Sequence, residues 1–96
     1  MKKAYVLVYS DGVGARESIK GWLNSDPNVI TWRTDLPHCF YLVSEADSET
    51  LARSFRRHAN DKGRFLIMEA SDNRFGWLPN ESWYLLRNKK LKPKNG

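Results

Sequence analysis

Asp11 is the side chain best placed for chemistry in this 96-residue chain. It follows an apolar, β-branched run over residues 4–9 and precedes Gly12. Functional side chains gather in the loops that follow strands. One carboxylate anchors a divalent cation only with help, which the same Asp of a second copy can give in a symmetric dimer. We therefore predict Asp11 as a catalytic carboxylate and a ligand for Mg²⁺ or Mn²⁺. The alternative, an Asp that caps a helix or closes the turn at Gly12, stays open.

A second candidate site is a cluster of cations in and after the second predicted helix. The cluster consists of Arg53, Arg56, Arg57, Lys62 and Arg64. Arg53 and Arg57 are four residues apart, so they share one helix face and can contact phosphates together. We predict that these five residues bind nucleic acid. A solvated helix face is the alternative interpretation.

The net charge of +5 does not itself indicate a nucleic-acid-binding body. Eleven Lys or Arg and eleven Asp or Glu precede Arg87, so the body is neutral. The excess lies in five cations without an acidic neighbour: Arg87, Lys89, Lys90, Lys92 and Lys94. Such a tail is either a solvated, mobile end or a non-specific phosphate-binding arm.

The remaining reactive residue types lack partners at useful spacing. Cys39 is the single cysteine, and its apolar, strand-like context predicts a buried structural thiol. His38 is its neighbour, and adjacent side chains of a strand point to opposite faces, so the two form no dyad. His38 and His58 have no Cys or acidic residue at metal-ligand spacing, and we assign neither a role. The glycines of Gly12-Val13-Gly14 belong to no complete phosphate-binding motif and indicate a tight turn.

The strands that must position these residues are visible as apolar and β-branched runs. They are expected at residues 4–9, 29–34, 39–44 and 65–70. The first run is typical of a central strand, and the second and third form a hairpin. The last run is almost continuously apolar, which predicts a strand paired on both edges and covered by helices on one side.

Three helices separate or follow these strands. Apolar residues at i, i+4, i+7 and i+8 from Ala15 predict a first helix that ends before Pro27. Asp47 or Ser48 caps the second helix. Pro79 begins the third. The apolar contacts of the third helix are expected from Trp77, Leu78, Trp83, Tyr84 and Leu86. We interpret the four tryptophans as core or subunit-interface residues: Trp22, Trp32, Trp77 and Trp83.

The order strand, helix, strand, strand, helix, strand predicts an α+β fold. We expect a ferredoxin-like βαββαβ domain over residues 1–87, with an antiparallel sheet, two helices on one face and a C-terminal helix. We expect residues 88–96 to form a disordered basic tail. The expected core comprises Tyr5, Leu7, Ile19, Trp22, Leu23, Phe55, Phe65 and Ile67. No stretch has the length of a membrane span or the form of a signal peptide, so we expect a cytoplasmic protein.

The last third of the chain carries a resemblance to a known family. The segments are Arg64-Phe65-Leu66-Ile67-Met68-Glu69, Gly76-Trp77-Leu78-Pro79 and Trp83-Tyr84-Leu85-Leu86. They resemble the small bacterial SinR-family proteins, relatives of the CRISPR adaptation endoribonuclease-like fold. The resemblance extends over about residues 4 to 87. It implies a ferredoxin-like homodimer in which an Asp closes the first strand at the dimer axis and binds a divalent metal, a role that falls on Asp11.

Three functions are therefore open. The leading hypothesis is a small cytosolic, homodimeric domain that acts as a binding or assembly module for RNA or DNA. The second is a metal-dependent phosphodiesterase or endoribonuclease that uses Asp11 and Mg²⁺ or Mn²⁺. The third is a protein-binding inhibitor or toxin-antitoxin component from a mobile element, which would have another protein as its partner.

Overall fold

The computed structural model describes residues 1–93 and confirms an α+β chain with one four-stranded antiparallel sheet and three helices. The strands are β1 (Lys3–Tyr9), β2 (Thr31–Arg33), β3 (Cys39–Ser44) and β4 (Phe65–Glu69). The helices are α1 (Arg16–Ser25), α2 (Ser48–His58) and α3 (Asn80–Asn88). Within residues 1–93 no helix has the length and apolar character that crossing a membrane requires. The end of the predicted disordered tail, residues 94–96, lies outside the described part.

The strand order is β2-β3-β1-β4, and each neighbouring pair is antiparallel. Strand β1 is central, as predicted. The prediction that residues 65–70 pair on both edges is wrong, because within residues 1–93 β4 pairs with β1 alone. An apolar run indicates that the side chains of a strand are buried, but it does not indicate whether the backbone pairs on one edge or on both. It therefore does not distinguish an edge strand from a central one.

Helices α1 and α2 pack on one face of the sheet, which we call the helical face. The Trp22 and Phe55 rings meet edge to face with their centroids 5.0 Å apart. The Trp22 indole N–H also donates to Ser54 Oγ at 3.0 Å, which joins the two helices. Seven of the eight predicted core residues are buried here and Phe65 is partly buried. The predicted helical spacing is therefore confirmed.

Helix α2 begins as its sequence predicts. The Asp47 carboxylate accepts a hydrogen bond from the Thr50 backbone N–H at 2.8 Å. This hydrogen bond to the charged form holds the pKa of Asp47 below its ordinary value. The last turn contains Arg56 and Arg57, whose positive charges suit the carbonyl end of a helix. The cap thus fixes where α2 begins.

Helix α3 packs on the opposite face, which we call the open face because α3 covers only part of it. Leu85 and Leu86 of α3 are buried against Cys39 and other residues of the central strands. The predicted burial of Cys39 is confirmed. Trp77 contradicts our expectation that it supplies contacts to the third helix, because it is 97% exposed. It lies in a loop before α3, so helical spacing does not determine its direction.

Candidate active site and basic groove

Asp11 lies in a 3-10 turn, Asp11–Val13, directly after the central strand. Its side chain is 94% exposed, and its Oδ1 accepts a hydrogen bond from His38 Nε2 at 2.5 Å. His38 precedes β3, whose start lies beside the end of β1 in the antiparallel sheet. The Tyr9 backbone N–H donates to the His38 carbonyl at 3.1 Å, which fixes this junction. The sheet therefore brings together two side chains that are 27 residues apart in sequence.

Two glycines let the Asp11 turn touch the loop before β4. A Cβ on Gly12 would lie 2.9 Å from Gly63 Cα, and a Cβ on Gly63 would lie 2.4 Å from the Val13 backbone nitrogen. Gly63 also has φ +76°, in the left-handed region that favours glycine. In addition, the Ser10 N–H donates to the Arg64 carbonyl at 2.9 Å. The Asp11 turn and the basic loop before β4 thus share one end of the molecule.

Arg16 adds a positive charge to the same end. Its Nη1 donates to the Tyr9 hydroxyl at 3.1 Å and its Nη2 to Thr34 Oγ1 at 2.5 Å. The guanidinium carbon lies 4.8 Å from the centroid of the Phe40 ring, which holds it by a cation–π contact. Arg16 forms no salt bridge with any residue of 1–93. Its charge is therefore positioned but available to an anion.

The donor set at Asp11 is too small for a metal ion within one chain. Asp11 and His38 supply two ligand atoms, and nowhere in residues 1–93 do three His, Cys, Asp or Glu side chains come together as a metal site. Magnesium and manganese require about six ligands, mostly oxygen, of which water supplies some. The residues present in one chain thus do not fit the predicted metal without a contribution from a second copy.

Four of the five predicted nucleic-acid-binding residues line one groove of about 440 Å³ between α2 and the start of β4. We call it the basic groove, and its cations are Arg53, Arg56, Lys62 and Arg64. Arg57 is exposed but does not line it.

The cations of the basic groove are not equivalent. Arg53 contacts Glu49, and Arg56 Nε lies 2.6 Å from Asp61 Oδ1. Lys62 and Arg64 form no salt bridge within residues 1–93. Exposed ion pairs are weak and exchange readily for other partners, so all four cations remain accessible to phosphates. Lys62 and Arg64 can bind a phosphate without first breaking an ion pair, and they supply the positive charge of the groove that no carboxylate of residues 1–93 balances.

The open face contains a wider apolar groove of about 500 Å³ between β4 and α3. Met68 of β4 and Trp77 of the following loop line it and are exposed. Tyr41 also lines this groove, and its buried hydroxyl has no hydrogen-bond partner in the described chain. Burial raises the pKa of Tyr41 to about 12. No segment of residues 1–93 covers this apolar groove.

Sequence reasoning missed His38 and Arg16. We assigned His38 no role because no acid lies at a regular metal-ligand spacing from it, and its partner Asp11 is instead reached through strand pairing. An antiparallel pairing of the first and third strands was the signal that places residues 11 and 38 at one end. No sequence pattern singles out Arg16, since a single Arg in the first turn of a helix is common on protein surfaces.

Comparison of the chain with protein-family models, curated proteins and solved structures finds no match.

Proposed function

We propose that this chain is a small cytosolic, homodimeric module that binds nucleic acid, with a ferredoxin-like βαββαβ core related to the SinR-family proteins. The strand order β2-β3-β1-β4 supports the fold proposal, because each helical connection then spans one intervening antiparallel strand. Burial of α1 and α2 together on one face agrees with it. Helix α3 is an addition on the other face.

The single observation that carries the binding proposal is the convergence of four cations on one groove. Lys62 and Arg64 come from the loop before β4, whereas Arg53 and Arg56 come from α2. Arg64 also borders a shallow surface with Tyr9 at the end of β1, and the Tyr9 hydroxyl accepts a hydrogen bond from Arg16, so Tyr9 lies between the two cations. Phosphates bind such surfaces by displacing condensed counterions. Contacts of these cations with phosphates carry no sequence information, so we propose that binding depends on the backbone and not on sequence.

The test is the fluorescence anisotropy of a labelled single-stranded RNA, and of the matching DNA, titrated with protein over a range of salt. We expect affinity to fall steeply as salt rises. The variant Lys62→Ala/Arg64→Ala should weaken binding and reduce the salt slope by about 2. Lys2→Ala/Lys3→Ala removes the same charge at the opposite end of β1 and should change neither. No detectable binding at low salt would overturn the proposal and favour a protein partner.

The homodimer proposal rests on the unpaired edge of β4. The Ala70 N–H donates to Ala4 O at 2.8 Å, and the Arg64 carbonyl accepts from Ser10, so the even-numbered residues bond to β1. The backbone groups of Phe65, Ile67 and Glu69 consequently point outward. No strand of residues 1–93 covers them. Exposed strand edges of this kind are templates for another strand.

A second copy overlaps this edge most fully in the two-fold register centred on Ile67. With Ile67 opposite the partner's Ile67, the outward-pointing residues form the hydrogen-bonded pairs and Phe65 meets the partner's Glu69. Leu66 then lies opposite the partner's Met68 on the open face, where each is 52% exposed. The pairing joins apolar patches of the two copies, which are otherwise left in water. It also sets the two basic grooves on the same, helical face of one eight-stranded sheet.

Sedimentation of the full chain at about 100 μM tests this interface, since dimerisation depends on protein concentration. We expect wild type to sediment as a dimer and Leu66→Lys/Met68→Lys to sediment as a monomer. Leu91→Lys is the control, because Leu91 is equally exposed at 52% but lies after α3. A monomeric wild type, or a dimer that survives the double substitution, would contradict the proposed edge.

This dimer does not build the metal site that the resemblance implies. Leu7 lies opposite Ile67, and Asp11 is four residues further along the chain. In the two-fold register the two Asp11 carboxylates are therefore about 25 Å apart along the strands. They cannot share one cation. The role of Asp11 must then come from neighbours within its own chain.

A further inference from the structure

The Asp11 and His38 pair has the arrangement of an oriented general base. A carboxylate only accepts hydrogen bonds, so the 2.5 Å contact requires His38 Nε2 to carry the proton. In the neutral imidazole Nδ1 then holds the free lone pair, and within residues 1–93 it has no hydrogen-bond partner. The His38 side chain is 50% exposed, so a substrate can reach the imidazole. The tautomer is thus set by Asp11.

The backbone of His38 is held in an unusual conformation. Its φ is 58°, in the left-handed region that a non-glycine residue rarely adopts. The hydrogen bond from the Tyr9 N–H to its carbonyl, and a tilted contact between the two rings at 5.4 Å, hold it there. Tyr9 also accepts from Arg16, so one side chain touches both the imidazole and the guanidinium. The base and an available cation are thereby fixed relative to each other.

We propose that this site cleaves RNA at its phosphodiester bonds without a metal ion, with His38 as the general base. Asp11 is the positioning residue and Arg16 binds the non-bridging phosphate oxygens. His38 Nδ1 takes the proton of a ribose 2′-hydroxyl. The 2′-oxygen attacks phosphorus and the bond from phosphorus to the 5′-oxygen breaks. The leaving oxygen takes a proton from water, and His38 returns its proton to solvent.

The substrate class follows from this chemistry. An attacking 2′-hydroxyl exists in RNA and not in DNA, and the products are a 2′,3′-cyclic phosphate and a 5′-hydroxyl. The inference rests on the proposed function, since the basic groove is what brings the strand to this end. The contact of Gly12 with Gly63 makes the two surfaces continuous. Binding and cleavage nevertheless depend on different residues, so they are separable.

The experiment follows cleavage of a labelled single-stranded RNA in excess chelator, with the all-2′-deoxy strand as the binding probe. We expect RNA to be cut to a 2′,3′-cyclic phosphate and the deoxy strand to be bound but not cut. His38→Gly should lower the rate at least about 100-fold. Glycine suits φ 58°, so this variant keeps the fold, which near-ultraviolet circular dichroism will check. Binding of the deoxy strand should be unchanged.

Free imidazole separates a catalytic role from a structural one. It should restore part of the cleavage rate of His38→Gly, because it replaces the missing base. Asp11→Asn should also cleave more slowly than wild type, but free imidazole should not restore its rate, because its His38 is still present. His58→Ala, which removes the other histidine, should retain the wild-type rate. Binding without cleavage in chelator, or a His38→Gly rate equal to wild type, would overturn this inference and leave the binding proposal intact. Failure to bind the deoxy strand would overturn the binding proposal itself.

Discussion

The two faces of the sheet differ in how completely the chain covers them. On the helical face α1 and α2 bury one continuous core that includes Tyr5, Leu7 and Phe55. On the open face α3 covers the central strands, while Leu66 and Met68 of β4 stay exposed. The apolar side chains of the helical face are buried within the chain itself. The exposed side chains of β4 on the open face are buried only if something else covers them, and we propose that a second copy does.

Two tyrosines make the same contrast at the level of single atoms. Tyr5 points to the helical face, and its hydroxyl donates to the Ala46 carbonyl at 2.6 Å. Tyr41 points to the open face, and its buried hydroxyl has no hydrogen-bond partner in residues 1–93. A buried polar group without a partner costs stability, whereas one with a partner is roughly balanced. The tyrosine hydroxyl is therefore satisfied on the helical face and unsatisfied on the open face.

The largest effect that tests this contrast comes from one substitution made on each face. Phe55→Ala on the helical face should cost about 3 to 5 kcal/mol, because the ring is fully buried. Phe75→Ala on the open face should change stability by less than about 0.5 kcal/mol, because the ring is fully exposed. Urea denaturation at a protein concentration low enough to keep the chain monomeric measures both. Equal costs would show that the loop with Phe75 packs against the body.

A smaller effect should come from the two tyrosines, with opposite signs. Tyr5→Phe loses the bond to Ala46 and should destabilise by about 1 kcal/mol. Tyr41→Phe removes an unpartnered buried hydroxyl and should stabilise by up to about 1 kcal/mol. The same denaturation experiment compares them. A destabilising Tyr41→Phe would indicate that this hydroxyl has a partner in solution.

The Tyr41 hydroxyl should also appear in the alkaline stability profile. Burial raises its pKa from 10.0 to about 12, so the unfolded chain loses this proton first as pH rises. Unfolding then releases a proton, and stability falls with pH between these two values. Tyr41→Phe should lose less stability over that range than wild type does. Parallel profiles would contradict the burial of the hydroxyl.

The smallest effect is expected at the cap of α2, which is fully exposed. The hydrogen bond from Thr50 lowers the pKa of Asp47 from 3.8, so its charge favours the folded state above that pH. This contribution is lost as pH falls through the folded pKa. Asp47→Asn keeps an acceptor without the charge, so its difference from wild type in melting temperature should shrink in acid. A constant difference would exclude the charge as the cause.

The sequence predicts the helical face well and the open face poorly, for a physical reason. The spacing of Ile19, Trp22 and Leu23 reports one buried stripe, and Asp47 reports where a helix begins. These are local properties. Leu66 and Met68 look the same in sequence whether the chain itself or a partner covers them. The edge position of β4 and the exposure of Trp77 are set by tertiary placement.

The candidate site divides in the same way. Asp11 is predictable because it ends an apolar run, and the four groove cations are predictable because they cluster in sequence. The local residue pattern does not identify His38, since strand pairing and a left-handed backbone bring it to Asp11. Residue types alone reveal neither the strand pairing nor the left-handed backbone. Local pattern thus finds one half of the pair, and the sheet supplies the other.

Chemical-shift mapping with ¹⁵N-labelled protein and a short single-stranded deoxyoligonucleotide tests the central claim, that nucleic acid binds the basic groove. A chain of 96 residues suits this measurement. We predict that the largest amide shifts occur at Lys62, Gly63 and Arg64, continue into the Asp11 turn, and disappear at high salt. Shifts confined to the exposed aromatic loop around Trp77, on the open face, would contradict the account.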